Sequence, residues 1–312
     1  MKRSVLSILI WVIAAVTIST AEAQTPRNAQ DYSSRGFERQ KRGDLDGAIE
    51  DFTQAIQQSH GPTQASFYEN RAQARMLKND WDGAILDYTQ SLEIQVGPIG
   101  NEKDKKQSGA AIARPIAMTY NNRGNARKGK GDIEGAIADY NKALETQPRF
   151  AEAYYNRGLA FQSQDELDKA LRDYSIAILL SPRLMDAYVN RGQVRQSKRD
   201  LDGAIADYNL ALQLKPDEAG TYFARGTALQ ARKDLAGAMA DYSRTIELDP
   251  NSARAYANRG VIRLLQHQDA EAEQDFARAF RIDPALKPEF NEFIEGTRKA
   301  RQINSQRPAP DK

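Results

Sequence analysis

Between residues 117 and 286 one pattern of 34 residues is written five times without a gap, and no other feature restricts the possible folds so tightly. Blocks beginning at Ala117, Ala151, Met185, Ala219 and Ala253 carry Tyr at their fourth position: Tyr120, Tyr154, Tyr188, Tyr222 and Tyr256. Arg-Gly follows three residues later in each, so Gly124, Gly158, Gly192, Gly226 and Gly260 recur at a constant spacing of 34. A strict period of that length marks a supersecondary unit that cannot bury its apolar face alone and must stack on its copies. Two weaker copies precede these five. Residues 29–62 keep Tyr32, Arg35-Gly36, Ala48, Asp51-Phe52 and Ala55, and residues 65–98 keep Tyr68, Arg71, Ala84 and Asp87-Tyr88, with Ala72 in the glycine position. A repeat array grows in one dimension, so the expectation is one elongated body of seven repeats, not separate globular domains.

Within a repeat the residues describe two helices. In 185–218, Tyr188, Gly192 and Val194 mark the first, and Leu201, Ala204, Ile205, Tyr208, Ala211 and Leu212 line the second at intervals of three and four. Asp200 stands at the start of the second helix, as do Asp44, Asp80, Asp132 and Asp234 in their repeats, where a carboxylate can accept from the opening amides. Pro148, Pro182, Pro216, Pro250 and Pro284 end the second helices. Small residues at Gly192 and Ala204 permit close approach of the paired backbones, with Tyr188 and Tyr208 filling the space around them. The fold class is therefore all-α.

The period breaks once. Repeats two and three are separated by 18 residues more than the period, and the excess, 99–116, is rich in Asn, Glu, Lys, Asp and Gln. It reads as an inserted solvated loop, either a partner-contacting element or a tolerated surface insertion, with a hinge beside it. After residue 286, Pro288 opens a helix over 287–301 whose Phe290, Phe293 and Ile294 form a narrow apolar stripe, as the open end of a stack requires. Residues 302–312 read as a disordered tail. At the other end, Lys2 and Arg3 precede an apolar run over 5–18, and Ala21-Glu22-Ala23 places small residues where a signal peptidase inspects the chain. Residues 1–23 are thus expected to be a signal peptide cut after Ala23, followed by a short lead at 24–28, leaving a periplasmic or secreted protein without membrane insertion.

The period of 34 and the Tyr, Gly, Ala, aromatic and Pro positions together resemble the tetratricopeptide repeat over residues 29–286. The resemblance implies a right-handed superhelical solenoid whose first helices line a concave groove that holds peptides or partner proteins. The chain departs from that family's pattern at position seven, where the consensus Leu is Arg in every repeat: Arg35, Arg71, Arg123, Arg157, Arg191, Arg225 and Arg259. At position eleven the consensus aromatic survives only as Phe161. Sixteen residues after each position-seven arginine stands an aspartate: Asp51, Asp87, Asp139, Asp173, Asp207, Asp241 and Asp275. Arginine is rarely buried without a partner, so seven structural Arg-Asp pairs are predicted; the alternative is seven arginines offered to an acidic ligand.

The resemblance also places positions two, five, six, nine and twelve of each first helix on the concave surface. Position six carries Asn70, Asn122, Asn156, Asn190 and Asn258. A carboxamide both donates and accepts, so such a column could pair with the backbone of an extended peptide, or it could serve neighbouring helices. Asn125 and Gln193, with Gln162, Gln196 and Thr227, extend the polar surface, and Tyr155, Val189 and Phe223 supply apolar contacts. Family members that capture a C-terminal carboxylate are similar in having Lys at position five. Here that position holds Ser33, Glu69, Asn121, Tyr155, Val189, Phe223 and Ala257, so that mode is not expected.

Other chemistries find little in the chain. The 44 basic residues nearly balance the 42 acidic ones, which argues against a nucleic-acid partner. With no cysteine there is no disulfide or thiolate chemistry, and the only two histidines, His60 and His267, fall in distant repeats. The Asp-Leu-Asp-Gly runs at 44 and 200 place glycine two residues too early for a calcium loop. No cofactor or metal is expected. Two readings remain: an adaptor holding a protein or peptide in an amide-lined groove in the cell envelope, or a scaffold of a secretion or polysaccharide-export assembly acting through its outer surface or by self-association. An enzyme is a distant third.

Overall fold

The structure, a computed structural model, describes residues 26–97 and 102–305. The expected signal peptide and the first two residues of the lead lie outside the described residues, as do residues 306–312 of the expected tail. Every regular element described is helical. Helices α1 (Ala29–Lys41) to α4 (Trp81–Val96) form two hairpins, with α2 at Leu45–Gln57 and α3 at Pro62–Leu77; α5 (Glu102–Lys130) and α6 (Ile133–Thr146) form the third. Four more hairpins follow: α7 (Ala151–Ser163) with α8 (Leu167–Leu180), α9 (Met185–Ser197) with α10 (Leu201–Leu214), α11 (Ala219–Ala231) with α12 (Leu235–Leu248), and α13 (Ala253–Leu265) with α14 (Asp269–Ile282). A 3-10 turn at Pro284–Leu286 leads into α15 (Lys287–Ser305).

The chain divides into two compact units, Met1–Asp139 and Tyr140–Lys312, and the division falls inside α6, not at the inserted segment. In the first unit the two helices of each hairpin pack on one another and the first helices α1 and α3 are neighbours. In the second, α7, α9 and α11 adjoin in the same way, so the first helices form a row within that unit.

The inserted segment is not a loop. Helix α5 runs from Glu102 through the insertion and on to Lys130, with Pro115 inside it. Its composition explains this: Glu, Lys, Gln and Ala are good helix formers, and polarity alone does not separate a solvated helix from a solvated loop. The capping helix also exceeds its expected end, carrying the first residues of the expected tail. Phe290 and Ile294 of its stripe are buried against Phe276, Val261 and Leu286, whereas Phe293 is 40% exposed.

Each hairpin turns in the same manner. The second residue before each second helix has a left-handed backbone: Gly43 (φ 82°), Asn79 (59°), Gly131 (91°), Asp165 (59°), Arg199 (66°), Lys233 (68°) and His267 (63°). The next amide reaches back five residues, as from Asp44 N to Arg39 O (3.0 Å) and Asp200 N to Arg195 O (2.9 Å), which is the hydrogen-bonded helix end that such a residue allows. The following Asp then caps the second helix: Gly47, Gly83, Gly135, Gly203 and Gly237 each donate their amide to it at 2.9–3.0 Å. Glu166 and Gln268, which replace Asp in repeats four and seven, make no side-chain cap.

Glycine at position eight is a packing residue. A Cβ on Gly192 would lie 2.8 Å from Tyr208 Cε1, and Gly158, Gly226 and Gly260 meet Tyr174, Tyr242 and Phe276 equally closely. The aromatic ring that fills this space comes from the second helix. Tyr188, expected to share the role, instead lies beneath Arg191 and donates its hydroxyl to Pro182 O (3.3 Å).

Candidate functional site

All seven predicted Arg-Asp pairs are present, and each has the same fork. Nε and Nη2 of the arginine donate to the two carboxylate oxygens, as in Arg157 to Asp173 (2.7 and 2.9 Å) and Arg191 to Asp207 (3.0 and 2.7 Å). The aspartates are buried, none more than 4% exposed. Their hydrogen bonds hold the guanidinium groups of Arg35 and Arg225 above the ordinary arginine value. The position-four tyrosine supplies the floor. Each arginine lies 5.4–5.8 Å from the ring centre of the Tyr three residues earlier, within cation-π range. The arginines are therefore committed to the hairpin interior, and the reading in which they await an acidic ligand does not hold.

Two further features of this lattice escaped sequence reasoning. Arg75, Arg127, Arg195 and Arg263, at position eleven, place Nη1 2.7–3.1 Å from the same aspartate, so that one carboxylate is gripped from two successive turns. The signal was legible as Arg-x-x-x-Arg in place of the family's Leu and aromatic. The remaining nitrogen, Nη1, of the position-seven arginine crosses to the previous hairpin. Arg71 and Arg123 reach Thr53 and Thr89 Oγ1 (2.9 and 3.1 Å) in the first unit. In the second, Arg157 and Arg225 reach Asn141 and Asn209 Oδ1 (both 2.6 Å), and Arg191 and Arg259 reach Ser175 and Ser243 Oγ (both 3.1 Å). The acceptor always follows the Asp-aromatic pair directly. The last repeat has Ala277 there, and no eighth arginine follows.

With the position-seven arginines turned inward, the openings left for a ligand are lined by amides, hydroxyls and aromatic rings with few charged groups. The structure distributes the candidate residues between the two units. In the first, Asn122 lines a cavity of about 320 Å³ with Gln40, Gln73, Met76, Leu77 and Tyr88. Asn70 donates to Ser33 Oγ (3.4 Å), and Asn125 is also engaged within the chain. In the second unit Asn190 donates to Tyr155 Oη (3.0 Å) and to Asp186 O (2.9 Å), Asn258 lies 3.5 Å from Tyr242 Oη, and Asn156 is likewise engaged. Much of the asparagine column thus serves neighbouring groups. Tyr155 packs against Tyr174, while Val189 and Phe223 border the cluster around Tyr208 and Tyr242.

An opening of about 620 Å³ in the second unit lies between α9, α10 and α11. Gln193, Gln196, Tyr208, Phe223 and Thr227 line it. Here the amides are oriented by buried phenols: Tyr208 Oη donates to Gln196 Oε1 (3.1 Å), and Gln196 Nε2 then donates to Thr227 Oγ1 (3.1 Å). The same pairing recurs at Tyr174-Gln162 (2.6 Å) and Tyr242-Gln230 (2.7 Å). Burial pushes the hydroxyls of Tyr174, Tyr208 and Tyr242 well above the ordinary phenol value, so they remain donors. Gln230 was missed in the sequence, although Gln at position twelve accompanies Tyr on the second helix in all three repeats. Gln193, which is exposed, and Phe223, which is half-buried, both line this opening.

No curated protein sequence matches the chain. Tetratricopeptide repeat family models match residues 36–95, 151–184, 186–218 and 242–274, and a model described as a TPR repeat matches 124–165. A solved tetratricopeptide repeat protein from Parabacteroides merdae superimposes with a TM-score of 0.57 at 21% identity, covering 86% of this chain and 98% of its own. A MamA protein structure gives 0.51 at 23% identity over 56% of this chain and 94% of that one. A MamA fragment from Desulfovibrio magneticus gives 0.52 at 17% identity, covering 55% and 96%. These likenesses establish the fold, and with the family models lying on the repeats read from the sequence, the chain belongs to the tetratricopeptide repeat family.

Proposed function

We propose that the chain is a non-enzymatic binding protein that holds an extended segment of another protein in the opening between α9 and α11. The observation that carries this reading is that Gln193 and Phe223 share a cavity of about 620 Å³ whose other carboxamide, Gln196, is fixed by the buried Tyr208. A free carboxamide can both donate to and accept from a peptide backbone, and an aromatic face supports one apolar side chain. Arg199 is the single charged residue of the lining, so recognition rests mainly on backbone and shape, which suits a segment in extended conformation.

This favours the adaptor over the scaffold, since an assembly acting through its outer surface would need none of these features. Linear peptides selected from a displayed random library on the full chain should lose binding to a Gln193→Ala, Phe223→Ala variant that keeps its helical circular dichroism. Selected peptides that bind the variant equally well would refute the groove. Concentration-dependent self-association with no peptide selected would instead support the scaffold.

The place of action is proposed from the N-terminal residues. Lys2 and Arg3, the apolar run and Ala21-Glu22-Ala23 support export and a periplasmic or secreted mature chain. N-terminal sequencing of the exported product should begin at Gln24.

A further inference from the structure

A second opening, about 350 Å³, lies wholly within the first unit, between the start of α3, the end of α4 and Pro115-Ile116 of α5. Its walls are Pro62, Ala65, Ile94, Pro115 and Ile116, and a single carboxylate, Glu69, reaches into it. Three donors converge on one oxygen of that group. Ser91 Oγ (2.9 Å), Gln95 Nε2 (2.6 Å) and Thr119 Oγ1 (2.5 Å) all bond Glu69 Oε1. Among the described residues no hydrogen bond or cation engages Oε2.

The repeat pattern shows how specific this arrangement is. Position five is uncharged in every other repeat. Ser91 occupies the place of Ala55, Ala143, Ala177, Ala211 and Ala279, and Thr119 that of Ala153, Ala187 and Ala255; repeat six also has hydroxyls there, Thr245 and Thr221, but its position five is Phe223 and Thr245 turns to backbone carbonyls. Both hydroxyls are essentially fully buried, at 0% and 1% exposure. A buried hydroxyl in place of a methyl destabilises a hairpin unless it finds a partner; here both reach the same oxygen, and Thr119 also lies 3.0 Å from Pro115 O of its own helix. Only in repeat two does the position-five residue carry a charge, and there Ser91, Gln95 and Thr119 hold its carboxylate beside an apolar cleft.

We propose that this cleft is a recognition pocket for a lysine side chain of a partner protein. Charge complementarity calls for a cation, and the apolar walls call for an aliphatic stem that can lie along Ile94 and Ile116. Lysine fits better than arginine because only one oxygen is left to receive it. A guanidinium makes its strongest bond as a fork to both carboxylate oxygens, whereas an ammonium is a compact point donor. The pocket is independent of the groove proposed between α9 and α11, since every residue of it lies in the other unit.

The test is nuclear magnetic resonance of the full chain with labelled isoleucine methyls, titrated with the tripeptide amide acetyl-Leu-Lys-Leu. Saturable shifts are expected at Ile94 and Ile116. Acetyl-Leu-acetyllysine-Leu, acetyl-Leu-Arg-Leu and the Glu69→Gln variant should each bind at least about fivefold more weakly. Equal binding of the acetylated peptide, unchanged affinity in a folded Glu69→Gln variant, or absence of saturable shifts at these methyls would overturn the proposal. Equal binding of n-butylammonium would also overturn it, by assigning the pocket to small free amines. Should Glu69→Gln fail to fold, the acetylated peptide on the unaltered chain still decides the matter.

Discussion

The Arg-Asp lattice makes its sharpest prediction in repeat four, where position eleven is Phe161 and one arginine alone holds the carboxylate. Asp173 is 2% exposed and accepts from Arg157 at 2.7 and 2.9 Å, while Arg157 also lies over Tyr154 and Phe161 and reaches Asn141. Asp173→Ala strands a guanidinium that cannot leave without giving up those contacts, and breaking a buried pair from one side costs about 3–5 kcal/mol. Arg157 is 20% exposed, so water relieves part of the loss and about 3 kcal/mol is expected. In a unit of this size that lowers the melting temperature by about 6–12 °C. Arg157→Leu leaves the aspartate buried without its arginine and should cost at least as much. Removing both charges, with Leu at the position where the family consensus has it, leaves neither group stranded and should cost no more than either single change. Urea midpoints followed by circular dichroism for the four chains give the coupling, expected at about 3 kcal/mol or more. Additive losses, or a single substitution that costs under about 0.5 kcal/mol, would refute the argument that these arginines are structural.

Further outcomes follow from the same geometry. Gly192→Ala drives a methyl to 2.8 Å from Tyr208 and should destabilise by about 1 kcal/mol net of the helix-propensity gain, the low end of overpacking because Ala72 is accommodated beside Tyr88 in repeat two. Gly296→Ala on exposed helix α15, with open space around it, should stabilise by about 0.5–1 kcal/mol in the same denaturation assay. Lys233→Gly relieves a left-handed turn residue at φ 68° and should stabilise by about 0.5 kcal/mol; a loss would show that the lysine side chain contributes more than its backbone strain costs. Burial also raises the hydroxyls of Tyr88, Tyr174, Tyr208 and Tyr242 above their ordinary value of 10.0. A folded value above the unfolded one contributes stability that is complete below pH ~10 and is lost as pH climbs toward the folded value. The last fraction of phenolate absorbance should therefore appear together with loss of helical signal; full ionisation of a still-helical chain would contradict the burial.

The amino-acid sequence by itself determined the repeat, its two helices, the caps and the Arg-Asp pairs, because each depends on residues at fixed short separations that recur in copy after copy. Repetition turned a weak local signal into a register: sixteen residues from Arg to Asp spans one hairpin, whatever its surroundings. The helical state of the insertion was not legible, since its residues suit a helix and a solvated loop alike and it occurs only once. Nor did the asparagine column announce that Asn190 and Asn258 would turn to tyrosine hydroxyls of neighbouring helices, a choice made by which side chains stacking brings within reach. Only tertiary structure decided that Arg Nη1 bridges to the preceding hairpin, that phenols orient the glutamines, and that Ser91, Gln95 and Thr119 converge on Glu69. Those contacts join different hairpins or facing helices, and their distances are set by how the helices stack and not by spacing along the chain.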